Sequence, residues 1–331
     1  MMVESVARLT FALLLTSMLS ACGSAPRTAP EEVQVIVNLC SDGVRRGGEV
    51  HYRDRCGAPG NWSSLGLPRP VVQLAGMTDR YCAVTTDGEL FCWGCDLASL
   101  SCDDSVWPPR RVPLARPVLR VALGVSHACV LTRSGEVWCW GYSERGQLGY
   151  TAPRPPEWVS AQNARRIDLP AERYLDIVAF GFGGCALTSD RELYCWGTPY
   201  AGPPWPVHRS LDGVQLVDAR RGVCAVVGQR RALFCDPYGR EGRSADTPLF
   251  LDTGRRDVEQ LVVGPFPCIS DAEGRVHCRQ RGAWEPVGRY PGGRLVSTVT
   301  GVCVLRGPRV ETCMPSSSTP TTVQPLLELA Y

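Results

Sequence analysis

The chain contains no lysine. Its 35 basic residues are all arginine, set against 33 acidic ones, which leaves a formal charge of only +2. That balance lacks the basic excess that phosphate binding requires. Arginine pairs such as Arg110-Arg111, Arg220-Arg221 and Arg230-Arg231 then reflect the codon bias of a GC-rich genome, and no nucleic-acid partner is expected. Histidine is scarce, at His51, His127, His208 and His277, and no zinc-ligand spacing, Ser-His-Asp order or phosphate loop accompanies it. These absences leave no assignable catalytic residue, metal or cofactor. Long apolar runs are missing as well: Leu9 to Leu19 stands out, and it is too short to span a bilayer comfortably.

What the chain has in quantity is cysteine, seventeen in all. Twelve fall into six pairs of nearly constant spacing: Cys82/Cys92, Cys129/Cys139, Cys185/Cys195, Cys224/Cys235, Cys268/Cys278 and Cys303/Cys313. Between paired cysteines the residues alternate with the period of a strand, turn at a polar tripeptide, and alternate again. In the first unit Cys82 and Val84 share one face with Leu90 and Cys92, while Ala83, Phe91 and Trp93 take the other. A hairpin centred on Asp87, with a left-handed Gly in an odd-length loop, sets Cys82 directly across from Cys92. Opposed residues in antiparallel strands are about 4.5–5.5 Å apart at Cα, within reach of a disulfide.

An apolar stretch precedes each of the first three hairpins, as in Val71-Val72-Gln73-Leu74-Ala75-Gly76 and Leu119-Arg120-Val121-Ala122-Leu123-Gly124. Pro-rich segments follow, suited to an edge strand. First cysteines recur at intervals of 47, 56, 39, 44 and 35 residues, room for four short strands per unit. A four-stranded sheet repeated at this period is a β-propeller blade. The competing arrangement, a string of independent disulfide modules, has too few staples per unit of about 40 residues.

Residues 121–149, Val-Ala-Leu-Gly-Val-Ser-His-Ala-Cys-Val-Leu-Thr-Arg-Ser-Gly-Glu-Val-Trp-Cys-Trp-Gly-Tyr-Ser-Glu-Arg-Gly-Gln-Leu-Gly, resemble a repeat of the regulator-of-chromosome-condensation family. The hairpins at Cys82 and Cys185 match the same motif, and the last three have lost the Trp-Gly after the second cysteine. The resemblance covers about residues 70–315 and implies an all-β propeller, commonly of seven four-stranded blades. Six cysteine hairpins are visible, so residues 33–70 and the terminal Leu326-Leu327-Glu328-Leu329-Ala330-Tyr331 are expected to close the ring together. His127 falls on a packed blade strand in such repeats and reads as structural. Trp93, Trp140 and Trp196 share one repeated position and read as blade packing.

Residues 1–21 read as a secretion signal, and Leu19-Ser20-Ala21-Cys22 resembles a lipobox, where a lipoprotein precursor is cut and acylated on cysteine. The alternative is an ordinary signal peptide with a chance cysteine. On the lipobox reading, Cys22 carries the lipid, residues 22–32 form a tether and 33–331 a single propeller. With Gly23 next, an outer-membrane lipoprotein is expected. Setting Cys22 aside leaves sixteen cysteines, an even number, and the two pairs outside the hairpins become Cys40–Cys56 and Cys95–Cys102. Such usage belongs outside the cytosol.

The insertion from Cys95 to Asp104 reads as a stapled surface loop rather than a cation site: Asp96, Asp103 and Asp104 lack the alternation and Gly of a calcium loop. Candidate contact residues lie on Pro-containing loops outside the repeat, Tyr142, Arg145, Tyr150 and Trp158 in one and Tyr200 and Trp205 in another. The same loops have an equal claim to packing on their own propeller. The resembled family includes exchange factors for small GTPases and a secreted inhibitor of β-lactamases, which work by protein contact; the export signal excludes the cytosolic role. Two functions follow as expectations. One is a lipid-anchored scaffold binding another envelope protein or a wall polymer, without catalysis or cofactor. The other is an envelope hydrolase or lyase, for which two carboxylates and a histidine at the propeller channel would be required.

Overall fold

Cys82 stands directly across from Cys92, as the alternation requires, with Val84 opposite Leu90 and Ala83 opposite Phe91. The same pairing recurs at Cys129–Cys139, Cys185–Cys195, Cys224–Cys235, Cys268–Cys278 and Cys303–Cys313, and all six pairs are disulfides. Their Cα separations, 4.0–4.2 Å, are slightly inside the spacing of an ordinary non-hydrogen-bonded pair. The computed structural model describes residues 34–37, 41–54, 62–77, 80–95, 105–150, 158–167, 172–197, 208–211, 213–219, 223–235, 251–280, 282–297, 301–306 and 309–315. Cys22, Cys40, Cys56, Cys102, Tyr200, Trp205 and residues 326–331 lie outside this set, as does the side chain of Cys95.

Seven antiparallel sheets, all within Glu32–Tyr331, form a seven-bladed propeller. Blades 1 to 7 occupy residues 34–64, 71–111, 118–166, 174–211, 214–252, 258–289 and 294–315. Six have four strands and the last has three among the described residues. The innermost strands of blades 2 to 7 are Val71–Met77, Val118–Leu123, Tyr174–Phe180, Val214–Ala219, Val258–Val263 and Arg294–Ser297. Each contacts the next, and Gln34–Val37 of blade 1 contacts both Val71–Met77 and Arg294–Ser297, closing the ring. Residues 34–64 form a four-stranded sheet of their own, in which Gly47-Gly48, both at positive φ, turn the chain between Ser41–Arg46 and Glu49–Asp54; residues 326–331, expected to share in closing the ring, lie outside the described residues.

Apolar burial sits mainly between blades rather than within them. Blades 2 and 3 share Met77, Val84, Leu90, Val118, Val130 and Trp140, and comparable clusters fill the other seams, with Trp62 of blade 1 packed against Val296 and Leu305 of blade 7. Trp93, Trp140 and Trp196 are all at most 2% exposed, so the repeated tryptophan is a packing element. Pro108 and Pro109 lie in the outermost strand Ser105–Arg111, where no further ladder partner is needed.

The hairpin turns of blades 1 to 5 also hold the next blade. The N–H of Val71 donates to Gly48 O at 2.7 Å, Val118 to Gly88 O at 2.8 Å, Tyr174 to Gly135 O and Val214 to Arg191 O at 2.9 Å, and Val258 to Arg231 O at 3.3 Å. The accepting residue has positive φ every time: 83° at Gly48, 88° at Gly88, 85° at Gly135, 65° at Arg191 and 44° at Arg231. Glycine suits that conformation, and a Cβ at Gly88 would come within 2.9 Å of Pro117. Arg191 holds the same conformation with a side chain, at a cost of about 1–2 kcal/mol, offset in part by the lower entropy of a non-glycine unfolded chain. Arg191→Gly is therefore expected to raise the melting temperature by about 1–3 °C. A fall on calorimetry would show that the Arg191 side chain contributes more than its backbone costs.

Candidate interaction surface

The innermost strands carry a repeated irregularity. In blades 2 to 6 the register slips once near the strand start, leaving Val72, Leu119, Leu175, Gln215 and Glu259 unpaired as bulges. A bulge turns its side chain out of the pleat. Val72, Leu119 and Leu175 are consequently 46%, 46% and 45% exposed, the three most exposed large apolar residues described. They occupy one position on three adjacent blades, beside the hairpin turns, and the polar Gln215 and Glu259 replace them in blades 5 and 6. They lie outside the Pro-containing loops in which contact residues were expected. Their signal was present as Val71-Val72 and Val118-Leu119, apolar doublets where alternation calls for one polar residue.

On the opposite face, the loop after the third strand of blade 3 packs chiefly on its own propeller. Tyr150, an expected contact residue, is only 7% exposed, and its hydroxyl donates to Cys139 O at 3.2 Å. Burial pushes its pKa up to about 12, with the Arg165 guanidinium opposing. Tyr150 thus belongs to the seam between blades 3 and 4 and not to a surface. Gln147, fully buried, accepts from Arg145 N at 2.8 Å through its side chain and from Trp196 Nε1 at 3.0 Å through its carbonyl. Arg145 lies 4.6 Å over the Phe182 ring. Tyr142 and Trp158 are half-buried; the Tyr142 hydroxyl donates to Glu144 at 2.6 Å, a bond that holds its pKa above the usual phenol value. The structure brings Tyr142, Arg145 and Phe182 to the mouth of one seam, next to Val125, which is 37% exposed.

A central channel of about 230 Å³ is lined by the ends of the innermost strands, including Met77, Leu123, Asp218, Val263 and Ser297. Asp218 is the one titratable residue among its described lining. Its carboxylate accepts from the N–H groups of Ala219 at 2.8 Å and Val263 at 2.7 Å, which ties blade 5 to blade 6. Gln73 makes an equivalent tie to both backbone groups of Val121, and Gln260 to Gly293 and Leu295. Among the described residues no group of three or more His, Cys, Asp and Glu gathers to hold a metal. His127 is fully buried, and neither ring nitrogen has a partner in hydrogen-bonding geometry. Burial pushes its pKa down to about 4; the Gly183 backbone beside the ring opposes this weakly, and the Arg80 guanidinium adds to it.

Comparison with known proteins places the repeat and the fold. The family described as regulator of chromosome condensation (RCC1) repeat matches residues 118–147. No curated protein matches the chain. Among solved structures, human WBSCR16 is 14% identical over 82% of this chain and 85% of its own, with a TM-score of 0.61. Prp20p from Saccharomyces cerevisiae is 15% identical over 80% of each chain, with a TM-score of 0.59. The ectodomain of the receptor kinase CR4 from Physcomitrella patens is 19% identical over 89% of this chain and 77% of that one, with a TM-score of 0.55. At these identities the likeness is one of fold, and the stretch matched to an RCC1 repeat by sequence lies in blade 3.

Proposed function

We propose that the protein is a lipid-anchored envelope propeller that binds a polypeptide partner through the turn face of blades 2 to 4. The observation that carries this reading is the arc of Val72, Leu119 and Leu175, three exposed apolar side chains repeated at one bulge position. Exposed apolar side chains that recur at one position on three adjacent blades of a rigid scaffold suit an interaction surface. Prp20p, a protein of similar fold, was described with its binding to Gsp1p and histones, and that supports a protein-binding reading here. The Leu19-Ser20-Ala21-Cys22 motif supports the anchor, and the disulfides support an oxidising compartment.

Crosslinking from intact membranes, with the acylated protein as bait, tests the surface. Leu119→Asp with Leu175→Asp is expected to lose the partner that the unaltered protein captures, with melting temperature nearly unchanged because both side chains are exposed. Equal capture by both proteins would remove the turn face from the proposal. The anchor has its own measurement: Cys22→Ala is expected to abolish acyl labelling and move the protein to a soluble pool. Unchanged membrane retention would sink the lipid assignment, and fractionation with the inner membrane would sink the outer-membrane one.

A further inference from the structure

Between blade 3 and the segment that links it to blade 2 lies a recess of about 170 Å³, lined by Leu114, Arg116, Val130, Trp138, Ala161 and Ala164 among others. Small residues line it, Pro113 and Ala115 in the linking segment and Ala161 and Ala164 in blade 3, and they leave the space unfilled. Its size is informative. Sites for cofactors and drug-sized molecules run to about 300–1,000 Å³, whereas an apolar cavity of about 150 Å³ holds one benzene. The recess therefore suits a single apolar side chain and is too small for a typical substrate.

Its rim carries a charge imbalance. The Arg116 guanidinium lies 4.5 Å over the Trp138 ring and 3.2 Å from the Glu136 carboxylate, which Arg166 also approaches at 3.8 Å. One carboxylate thus serves two guanidiniums, each of them about half exposed, at 48%. A second carboxylate beside the recess would complete the pairing, and Arg is well shaped to accept it. Arg116 is also three residues before Leu119 of the exposed arc.

The geometry points to a docking site for an acidic polypeptide segment of the partner, which seats one apolar side chain in the recess and pairs a neighbouring carboxylate with Arg116 and Arg166. This rests on the reading of the turn face as partner-binding, and it supplies the chemistry of what binds there. Arginine at the rim gives specificity and salt dependence, while the apolar anchor supplies most of the affinity.

The test uses the mature protein with its disulfides intact and two fluorescent peptides, Asp-Glu-Phe-Glu-Asp and Asp-Glu-Gly-Glu-Asp, followed by anisotropy. The Phe peptide is expected to bind at least tenfold more tightly, the effect of burying one apolar side chain. Ala164→Phe, which fills the recess, is expected to erase that preference, and Ala161→Leu serves in its place if the first variant does not fold. Arg166→Glu is expected to weaken both peptides about threefold to tenfold and to flatten their salt dependence. Equal binding of the two peptides, or a preference that survives recess filling, would overturn the proposal. In the membrane crosslinking experiment, a partner kept by Ala164→Phe but lost from the Leu119/Leu175 variant would overturn the recess while leaving the partner-binding face intact. A partner lost from neither would overturn the face itself.

Discussion

Reduction of the six hairpin disulfides is expected to unfold the propeller at room temperature, or to lower its melting temperature by tens of degrees. Each bridge closes an 11- or 12-residue loop, worth roughly 2–3 kcal/mol in the chain-entropy model. Six such closures are comparable to or larger than a net folding free energy of about 5–15 kcal/mol. The effects will not add simply, because each bridge lies in a seam shared by two blades: Cys129 and Cys139 pack with Tyr174 and Ile177 of the next one. Losing a bridge therefore loosens two blades. Thermal unfolding with and without reductant measures this, and an unchanged midpoint would show that the bridges do not hold the fold. Peptide mapping under non-reducing conditions checks the pairing independently. It is expected to return the six hairpin links and, in addition, Cys95–Cys102 and Cys40–Cys56, which rest on counting alone.

The second large effect is an acid one. His127 is neutral in the folded protein down to about pH 4, against an ordinary value near 6.5 in the unfolded chain. Below pH 6.5 the unfolded state binds the proton and the folded state does not, so stability falls as pH falls, and the loss levels off below about pH 4. A gap of about 2.5 units corresponds to a loss of about 3 kcal/mol across that window. Carboxylates contribute as well at the acidic end: Asp87 and Asp252 are held below their usual range, chiefly by bonds to Thr85 and Arg256 respectively. A difference curve isolates the histidine. His127→Phe is expected to keep the ring-shaped packing over Gly124 and to flatten stability against pH between 6.5 and 4 by about that amount. If wild type and variant lose stability in parallel over this range, the buried imidazole is not the acid-sensitive group.

Much of the fold was legible because cysteine spacing encodes register. Nine intervening residues with a central Asp-Gly or Ser-Gly leave one hairpin in which both sulfurs face each other, and the structure has that hairpin at Cys82–Cys92 and Cys129–Cys139. Blade 1 was less legible. Its flanking cysteines, Cys40 and Cys56, have fifteen residues between them instead of nine, and its turn signal, Gly47-Gly48, is short and flanked by arginines and glutamate rather than by apolar alternation. The candidate surface was only half legible, for a different reason. Tyr150 sits in a Pro-containing loop that looks solvent-facing, yet Gly149, at φ 69°, turns the chain back against Ile167 and Trp196 and carries the ring into the seam. That return is a tertiary event with no local pattern. Leu119 and Leu175 show the reverse: a strand pattern says buried, and a bulge makes them exposed.

The bonds from the hairpin turns of blades 1 to 5 to the next innermost strand bear on how such a chain can change over time. They join backbone to backbone at the inner part of the ring, so they constrain neither the outermost strands nor the segments leading to them. Those segments range from residues 281–282 in blade 6 to residues 142–164 in blade 3, within one closed ring. Insertions and deletions at the periphery leave the lattice of turns and inner strands untouched, and the penalty for lengthening a loop grows only logarithmically. The inner ring is thus a chassis and the periphery a set of exchangeable fittings. A lineage carrying this propeller can lengthen or shorten its outer loops without having to rediscover how to fold.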